Sequence, residues 1–362
     1  MDRKRILIFG VTGQDGSFLA EQCLKDRCEV YGVIRRTSTN NLQNLEQIKG
    51  DYKLELLEGD LCDSISIEKA INSVKPHEIY NLAAQSHVQT SFDQPEYTTN
   101  VNYLGVLRIL EAIRKSTFQN IRFYQAGTSE QFGNIGEEVA IYEKSPMNPV
   151  SPYAIAKYSA YQAVKIYREA YNMFACVGLL FNHESERRGE NFVTMKICNG
   201  FKKIMAVMNH NADIGKKAIY PGIYNIPKIK LGNLEAKRDW GYAPDYTKAM
   251  RLMLQQNEPD DYVEIDPKFY RPVDVNVLCA DPSKAFEILG WGPETSFHNM
   301  VRKMLGVMTF AQKIMDVKLP TPEELIDCQP MTKPISDDIF EVKYNSEYKI
   351  TYDYGDSREE ND

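Results

Sequence analysis

The sequence is poor in the residues that usually build metal sites and disulfide frameworks. Its five histidines form no HxxxH or HExxH pair, and its seven cysteines show no CxxC spacing. This scatter argues against a bound metal and is typical of free, buried thiols in a reducing compartment. The longest apolar runs, such as "FACVGLLF", are far too short to span a membrane. We therefore expect a metal-free, cytoplasmic protein.

Strong charge of one sign is also missing. The formal net charge is −7, and no block of lysine and arginine stands out, so a general affinity for nucleic acid or membrane surfaces is not expected. The basic start "MDRKR" leads into an apolar run that stops at a glycine-rich turn without a cleavage site. This predicts a first strand rather than a signal peptide. With 362 residues and 43% hydrophobic content, the chain is long enough for two domains or lobes.

What the sequence does contain is a regular alternation of strand and helix patterns up to residue 181. The predicted strands are "RILIF", "EVYGVI", "KLELLE", "EIYNLA", "NIRFYQA" and "FACVGLLF". Between them lie the helical patterns "GSFLAEQCLKD", "SISIEKAINSV", "YTTNVNYLGVLRILEAIRK" and "SPYAIAKYSAYQAVKIYREAY". Such alternation predicts an α/β fold with a Rossmann-type, doubly wound parallel sheet. Ligands of such sheets bind outside the carboxyl ends of the strands.

Beyond residue 182 the alternation fades, which indicates a smaller C-terminal lobe and a tail. Segment 205–231 is predicted to be loop-like because glycine and proline interrupt it, whereas 281–309 has a helical pattern. The acidic end favours a solvated or disordered tail. The predicted division is a cofactor-binding domain over 1–181, completed by part of 232–263, a substrate-binding lobe over 182–231 and 264–312, and a partly disordered extension over 313–362.

The turn "FGVTGQDG" predicts a dinucleotide site. Gly10, Gly13 and Gly16 lie between the first strand and the first helix. Glycines there allow a tight turn and a close approach of the backbone to a pyrophosphate at the positive helix end. A tight turn without a ligand is the alternative, but the position directly after a strand and before a helix favours binding.

Other strand ends add to this prediction. Where NAD sites commonly carry an acidic residue, the second strand is followed by Arg35 and Arg36, which favours the 2′-phosphate of NADP. The alternative is a solvated basic turn. Asp60 and Leu61 follow the third strand, where adenine is usually bound, and the small residues of "NLAAQS" follow the fourth.

The segment "SPYAIAK" supplies Tyr153 and Lys157, which share one face of a helix that Ser151 can cap and Pro152 can begin. A tyrosine of ordinary pKa is a poor base at neutral pH, but a neighbouring ammonium and a positive nicotinamide ring would stabilise its phenolate. That pair suits removal of a hydroxyl proton while hydride leaves the same carbon. Packing is the alternative role for this tyrosine.

The segment "GTSE" follows the fifth strand and adds two hydroxyls and a carboxylate. Thr128 or Ser129 could bond the oxygen that becomes a carbonyl. Glu130 could remove the proton that this carbonyl acidifies and then protonate a departing hydroxyl. The alternative is a helix start, with Ser129 as the cap and Glu130 in the first turn.

These residues resemble the extended short-chain dehydrogenase/reductase family and, within it, the GDP-mannose 4,6-dehydratases. The resemblance rests on "GVTGQDGS", "EIYNLAAQSHV", "FYQAGTSEQFG", "SPYAIAK", "LFNHESERRGENFVT" and "LGNLEAKRDWG", which occur in family order over roughly residues 4–275. It implies NADP-dependent oxidation of the mannosyl C4, loss of water across C5 and C6, and return of hydride to C6. The product would be GDP-4-dehydro-6-deoxy-D-mannose.

The resemblance also assigns residues. The catalytic group would be Thr128, Glu130, Tyr153 and Lys157, the last also binding the nicotinamide ribose. NADP would be held by Gly10, Thr12, Gly13, Gln14, Asp15, Gly16, Arg35, Arg36, Asp60, Leu61, Leu82, Ala83, Ala84, Gln85, Ser86, Tyr97, Lys157, His183 and Arg188. GDP-mannose would be held by Ser86, Ser129, Asn182, Asn191, Lys196, Arg238 and Arg271. For the last two, a surface or packing role beside Trp240 and Tyr270 is the alternative, and for His183 a satisfied loop histidine.

Three departures from the family pattern bear on assembly and substrate binding. The loop "TSTNNLQNLEQIKG" is shorter than in the family and lacks the arginine that reaches a neighbouring subunit, so we expect a homodimer through the long helices, with a tetramer in doubt. Segment 202–233 is longer than its family equivalent. The stretch "DDYVEIDPKFYRP" lacks a few dozen family residues, either through a true deletion, which would open the sugar pocket, or through omission from the sequence.

Two other functions fit parts of the pattern. A nucleotide-sugar 4-epimerase or reductase of the same fold needs Tyr153 and Lys157 but not Glu130. A catalytically silent NADP-binding subunit needs none of the three.

Overall fold

The computed structural model describes residues 3–38, 41–46, 48, 53–133, 140–213, 229, 237–264, 277–278, 281–306, 343–344 and 350–351; no side chain is described at 207–213, 237–238, 263–264 or 277–278. The chain forms two compact units, Met1–Thr309 and Phe310–Asp362. In the second unit, β12 (Lys343–Tyr344) and β13 (Ile350–Thr351) form an antiparallel pair.

The first unit is built on a parallel sheet. The strands of the first unit are β1 (Arg5–Phe9), β2 (Glu29–Ile34), β3 (Leu54–Glu58), β4 (Glu78–Asn81), β5 (Arg122–Ala126), β6 (Ala175–Leu180), β7 (Asn182–Glu184), β8 (Lys237–Arg238), β9 (Trp240–Tyr242), β10 (Tyr262–Glu264) and β11 (Val277–Leu278). Seven of these pair in the order β10-β6-β5-β4-β1-β2-β3, all parallel, whereas β7 pairs with β9 and β8 with β11. The order from β3 to β6 is that of a dinucleotide-binding fold, in which the order of the strands across the sheet reverses between β1 and β4.

Helices flank this sheet. They are α1 (Gln14–Lys25), α2 (Gln43–Glu46), α3 (Ser64–Val74), α4 (Val88–Asp93), α5 (Pro95–Thr99), α6 (Gly105–Lys115), α7 (Pro152–Tyr171), α8 (Val193–Asp213), α9 (Ala243–Met253), α10 (Ser283–Leu289) and α11 (Phe297–Leu305). A π-helical turn at Asn100–Leu104 joins α5 to α6, and a short 3₁₀ helix spans Ser129–Phe132.

Two hydrophobic clusters cover the two faces of the sheet, because successive side chains of a strand point to opposite faces. Phe123 of β5 packs in a cluster with residues of α3, α6 and α7, whereas its neighbour Tyr124 packs in a second cluster with residues of α1, α9 and α10. The central strands β1, β4, β5 and β6 are buried on both faces, which is why they read as nearly continuous apolar runs, whereas the edge strand β3 is largely exposed. The predicted α/β fold is confirmed.

Most predicted elements are present, with two differences. Residues 205–213 belong to α8, so the prediction of a loop over the whole of 205–231 is wrong for this part; the glycines and prolines that interrupt this segment begin only after residue 213. The helix predicted over 97–115 is interrupted by the π-helical turn. There the Asn102 amide bonds both backbone groups of Gln85, and Arg108 donates to the Asn100 side chain. Such turns within helices often occur at functional sites.

An ion pair fixes the outer strand of the sheet. Asp261, directly before β10, accepts two hydrogen bonds of 2.8 Å from the Arg168 guanidinium on α7 and one of 2.8 Å from the backbone N–H of Val177 on β6. The side chains of both partners are mostly buried. A fork-shaped, buried pair of this kind ties β10 to the rest of the sheet.

We predict that Asp261→Ala lowers the free energy of unfolding by about 3 kcal/mol, because the Arg168 guanidinium stays buried without its partner. Urea unfolding measures this change. The matched control is Glu294→Ala, which removes the exposed partner of Lys248 and should cost about 1 kcal/mol or less. Equal losses in the two variants would contradict a structural role for the Asp261 pair.

Candidate active site

The first part of the site is the turn between β1 and α1. Gly10 has φ +80°, and a Cβ there would lie 2.6 Å from the backbone nitrogen of Ala83 after β4. A Cβ on Gly16 would collide with the Gly10 carbonyl. Gly13 is the N-cap of α1 and offers no side chain to the N–H groups of the first turn. The turn therefore presents helix N–H groups to an anion at the carboxyl ends of the paired strands β1 and β4. This arrangement fits a pyrophosphate.

A buried polar network joins this turn to the segment after β6. The His183 ring lies 2.7 Å (Nδ1) from the Phe181 carbonyl oxygen and 2.9 Å (Nε2) from Asp15 Oδ2. Both neighbours are acceptors, so both ring nitrogens carry hydrogen and the ring is an imidazolium. The Asp15 carboxylate raises the pKa of His183 against burial, and His183 in turn lowers the pKa of Asp15. The two ring nitrogens are thus satisfied within the protein.

Further bonds extend this network. Gln14 donates to the His183 carbonyl and accepts from the Ser185 hydroxyl. Arg187 donates to Ser17 and Glu21 of α1 and lies over the Phe18 ring. Arg188 pairs with the buried Glu184 and lies over the Phe192 ring. Sequence reasoning missed Ser185 and Arg187, for which the only signal is polar residues at positions that follow a fully apolar strand.

The basic residues after β2 lie at the sheet's carboxyl edge. Arg35 and Arg36 are exposed, and Arg35 Nη1 donates to the Tyr97 hydroxyl at 2.8 Å. This places two predicted cofactor residues together. The following short helix α2 contributes Asn44, whose amide donates to the Thr12 carbonyl at 3.0 Å. The loop after the arginines is thereby tied to the phosphate turn of its own chain.

The ends of β3 and β4 are held by the helix that begins after the π-helical turn. Arg108 Nη1 donates to the Leu61 carbonyl at 2.9 Å. Gly105 allows the Leu61 side chain to approach α6, since a Cβ there would lie 2.8 Å from that of Leu61. The Gln85 side chain donates to Thr98 at 3.0 Å, and Ser86 is exposed at the rim. These contacts fix the two loops, Asp60–Leu61 and Leu82–Ser86, beside the phosphate turn.

The predicted catalytic residues converge at the end of β5. Tyr153 and Lys157 are buried on α7, which Ser151 caps through a hydrogen bond from the Ala154 N–H and Pro152 begins. Thr128 and Glu130 act on the Tyr153 phenol in opposite directions, since Thr128 lowers its pKa and the charge of Glu130 raises it. The Lys157 ammonium donates to the Ala126 carbonyl at 2.8 Å and lies 6.0 Å from the centre of the Tyr153 ring. The spacing argument for one face of a helix is therefore correct.

The ionisation of this pair differs from the expectation. Burial raises the pKa of Tyr153 to about 12, and the charge of Glu130 adds to this shift. Thr128 and the Arg188 charge only partly oppose it. Burial also lowers the pKa of Lys157 to about 8. The groups of the protein thus do not themselves favour the phenolate, since loss of water around the phenol outweighs the groups that would stabilise its charge.

The alternative role for "GTSE" is partly correct. Thr128, not Ser129, is the N-cap of the 3₁₀ helix and accepts from the Glu130 N–H at 3.3 Å. Glu130 lies in the first turn, half-buried, while Ser129 is buried. Capping and chemistry do not exclude each other here, because the cap fixes the backbone of Glu130 at the end of β5, where its charge reaches Tyr153.

The predicted substrate residues are less well grouped. Asn182 is half-buried on β7, whereas Asn191 and Lys196 are exposed around the start of α8. Arg238 lies on β8, its side chain outside the described part, and Arg271 lies outside the described residues altogether. Within the described part, no group of three His, Cys, Asp or Glu residues could hold a metal ion, and no helix there is both long and apolar enough to cross a membrane.

Comparison with known proteins identifies the family. The family model described as GDP-mannose 4,6 dehydratase matches residues 7–264 and 261–304, and its break falls where the sequence runs from "DDYV" to "YRP". The chain is 44% identical to GDP-mannose 4,6 dehydratase of Drosophila melanogaster, with 83% of this chain and 85% of that protein covered. It is 42% identical to GDP-mannose 4,6 dehydratase 1 of Arabidopsis thaliana, with 84% and 89% covered.

Solved structures agree on the fold. UDP-glucose 4-epimerase of Thermus thermophilus, solved in complex with NAD, superposes with a TM-score of 0.68 at 21% identity and covers 83% of this chain and 98% of its own. At this identity the likeness concerns the fold alone. Taken with the sequence matches, these findings confirm the resemblance, and the chain belongs to the GDP-mannose 4,6-dehydratase family.

Proposed function

We propose that this chain converts GDP-D-mannose to GDP-4-dehydro-6-deoxy-D-mannose with a tightly held NADP. One observation carries the proposal beyond family membership. A half-buried carboxylate, Glu130, lies in the 3₁₀ helix that Thr128 caps at the end of β5, and its charge reaches the Tyr153 phenol. Simple hydride transfer at a carbinol does not need this carboxylate, whereas elimination of water does.

The residues support a sequence of proton transfers that returns Tyr153 and Glu130 to their starting protonation states. Tyr153 takes the proton of the C4 hydroxyl while Thr128 bonds the oxygen that becomes the carbonyl. Glu130 takes the C5 proton and returns it to the C6 hydroxyl, which leaves as water. A bound oxidised nicotinamide would supply the hydride-transfer chemistry, and its positive charge would favour the Tyr153 phenolate. Tyr153 then gives its proton to C5, so that one water is lost and no cofactor is consumed.

We predict that Glu130→Gln abolishes water loss while leaving C4 oxidation, because the amide cannot accept the C5 proton. The assay incubates purified protein with GDP-mannose and NADP⁺ and identifies products by mass spectrometry. The native protein should give a product lighter by one water without accumulation of NADPH, and the variant should lose at least about 100-fold in this activity.

One control variant completes this test. Glu143→Gln changes a carboxylate outside the described catalytic group and should retain activity. A native protein that only epimerises or reduces the sugar, or a Glu130→Gln variant that still dehydrates it, would contradict the proposal. Bound NADP without any product would favour the silent subunit.

The choice of NADP over NAD rests on the exposed Arg35 and Arg36. Their guanidinium groups suit a 2′-phosphate, and no carboxylate follows β2 directly to repel one. We predict that Arg35→Ala/Arg36→Ala weakens NADP binding about 10- to 100-fold and leaves NAD binding within a factor of about two, as calorimetry would measure. Arg302→Ala, an exposed arginine on α11, is the control. Equal losses for both cofactors would show that the arginines do not select the phosphate.

We also propose a homodimer formed by the α6–α7 face. Ile166, Leu107 and Tyr158 line a groove between the two helices, and Leu104, Ile155 and Ile166 are 39%, 54% and 57% exposed. Exposed apolar patches of this kind favour a protein partner, and two copies of a helix pair can bury theirs against each other. The cytoplasmic location stays a prediction.

We predict that Ile166→Glu converts the dimer to a monomer in analytical ultracentrifugation, because a carboxylate cannot be buried in an apolar interface. Ile65→Glu, at a 77% exposed isoleucine on α3, should leave the dimer intact. A monomeric native protein, or a dimer that survives Ile166→Glu, would contradict this interface.

A further inference from the structure

Two buried amides lie beneath the predicted catalytic lysine. Asn81 ends β4 and Gln125 lies opposite it on β5, in register. Both are almost fully buried, at 0% and 2% exposure. They lie on the face of the sheet that α7 covers, since Ile79 and Phe123, two residues earlier on each strand, pack in the cluster that contains α7 residues. Neither side chain takes part in the chemistry proposed above.

The two amides form a hydrogen-bonded chain that ends at the lysine's own acceptor. Asn81 Nδ2 donates to Gln125 Oε1 at 2.8 Å, and Gln125 Nε2 donates to the Ala126 carbonyl at 2.9 Å. The Lys157 ammonium donates to that same carbonyl at 2.8 Å. The Ala126 oxygen therefore accepts one hydrogen bond from the Gln125 side chain and one from the Lys157 ammonium, using both of its lone pairs.

Chemistry fixes the direction of this chain. A carbonyl can only accept, so the Gln125 group that faces Ala126 has to be the NH₂, and its oxygen has to face Asn81. Asn81 must then present its own NH₂, which leaves Asn81 Oδ1 buried with no hydrogen-bond partner in the described part of the chain. An unpaired buried oxygen is unfavourable, and proteins tend to keep such groups where function requires them.

We propose that Gln125 and Asn81 are positioning residues for Lys157: their amides hold the Ala126 carbonyl in place, and that carbonyl holds the ammonium beside Tyr153. This inference rests on the proposed role of Lys157 and Tyr153. Because burial lowers the pKa of Lys157 to about 8, its charge near neutral pH depends closely on the few groups that can accept its hydrogens.

The first test is Gln125→Met, which keeps the length of the side chain and removes the amide. We expect kcat to fall about 10- to 100-fold through misplacement of the ammonium, with KM for GDP-mannose within a factor of about two. Gln22→Met is the matched control, since Gln22 also makes two hydrogen bonds through its amide nitrogen, to Pro244 and Thr247, away from the cleft. It should leave kcat unchanged.

The second test is the kcat–pH profile of Gln125→Met. Loss of the amide leaves the Ala126 carbonyl less firmly held against the ammonium, so the charged lysine is stabilised less and the alkaline limb of the profile should move to lower pH. A structural role alone would leave the profile in place.

A third readout needs neither substrate nor cofactor. The pKa of Lys157 is about 8 in the folded protein, below its ordinary value of 10.5. Between these values the unfolded chain binds a proton that the folded chain does not, so the free energy of unfolding gains from this group as pH rises. Lys157→Met should lose this gain, and Gln125→Met should move its onset to lower pH, while Gln22→Met keeps it.

If Gln125→Met does not fold, Asn81→Leu/Gln125→Met replaces both partners by apolar groups and removes the unpaired oxygen. A kcat per folded molecule within twofold of native, together with an unmoved kcat–pH profile, would overturn the positioning role. Lys157→Met separates the two hypotheses. If it retains activity, the proposed mechanism fails; if it is inactive while the Gln125 variants behave as native, only the positioning role fails.

Discussion

Burial of the Lys157 ammonium is the constraint on which the catalytic half of this structure depends. Removing a charge from water costs several kcal/mol unless acceptors replace the lost hydration. The Ala126 carbonyl provides such an acceptor at the point where β5 ends. The position of α7 along the sheet has to bring Lys157 to this carbonyl. Ser151 and Pro152 contribute to it by defining where the helix begins. Tyr153, one turn earlier, is thereby brought to Thr128 and Glu130.

The other half of the cleft depends on contacts between distant parts of the chain. The segment after β6 folds back onto α1, where Gln14, Asp15 and Ser17 receive polar side chains from 183–187. Asn44 approaches the same turn from the other side. The phosphate turn is thus held from two directions, and its geometry does not rest on glycines alone.

Local pattern predicted much of this arrangement, because a strand–helix alternation and a glycine array report directly on backbone conformation. Residues such as Gly10, Ser151 and Tyr153 were enough to predict the strand ends, the cap of α7 and the face of α7 that carries Tyr153. The amide chain under Lys157 could not, since Asn81 and Gln125 are 44 residues apart and become neighbours only through the strand register. The π-helical turn at Asn102 has the same origin, in a side chain that bonds a loop 17 residues away.

The pairing of Asp15 with His183 has a consequence for the charge of the phosphate turn. An aspartate in the first turn of α1 would oppose an incoming anion, but the imidazolium beside it cancels that charge, and the helix end keeps its positive character. Because Asp15 raises the pKa of His183, this neutralisation persists to higher pH than an ordinary histidine would allow. Alkaline loss of that single proton would leave the Asp15 carboxylate uncompensated in the first turn of α1, so the proposed binding of a dinucleotide at this turn would weaken as the pH rises.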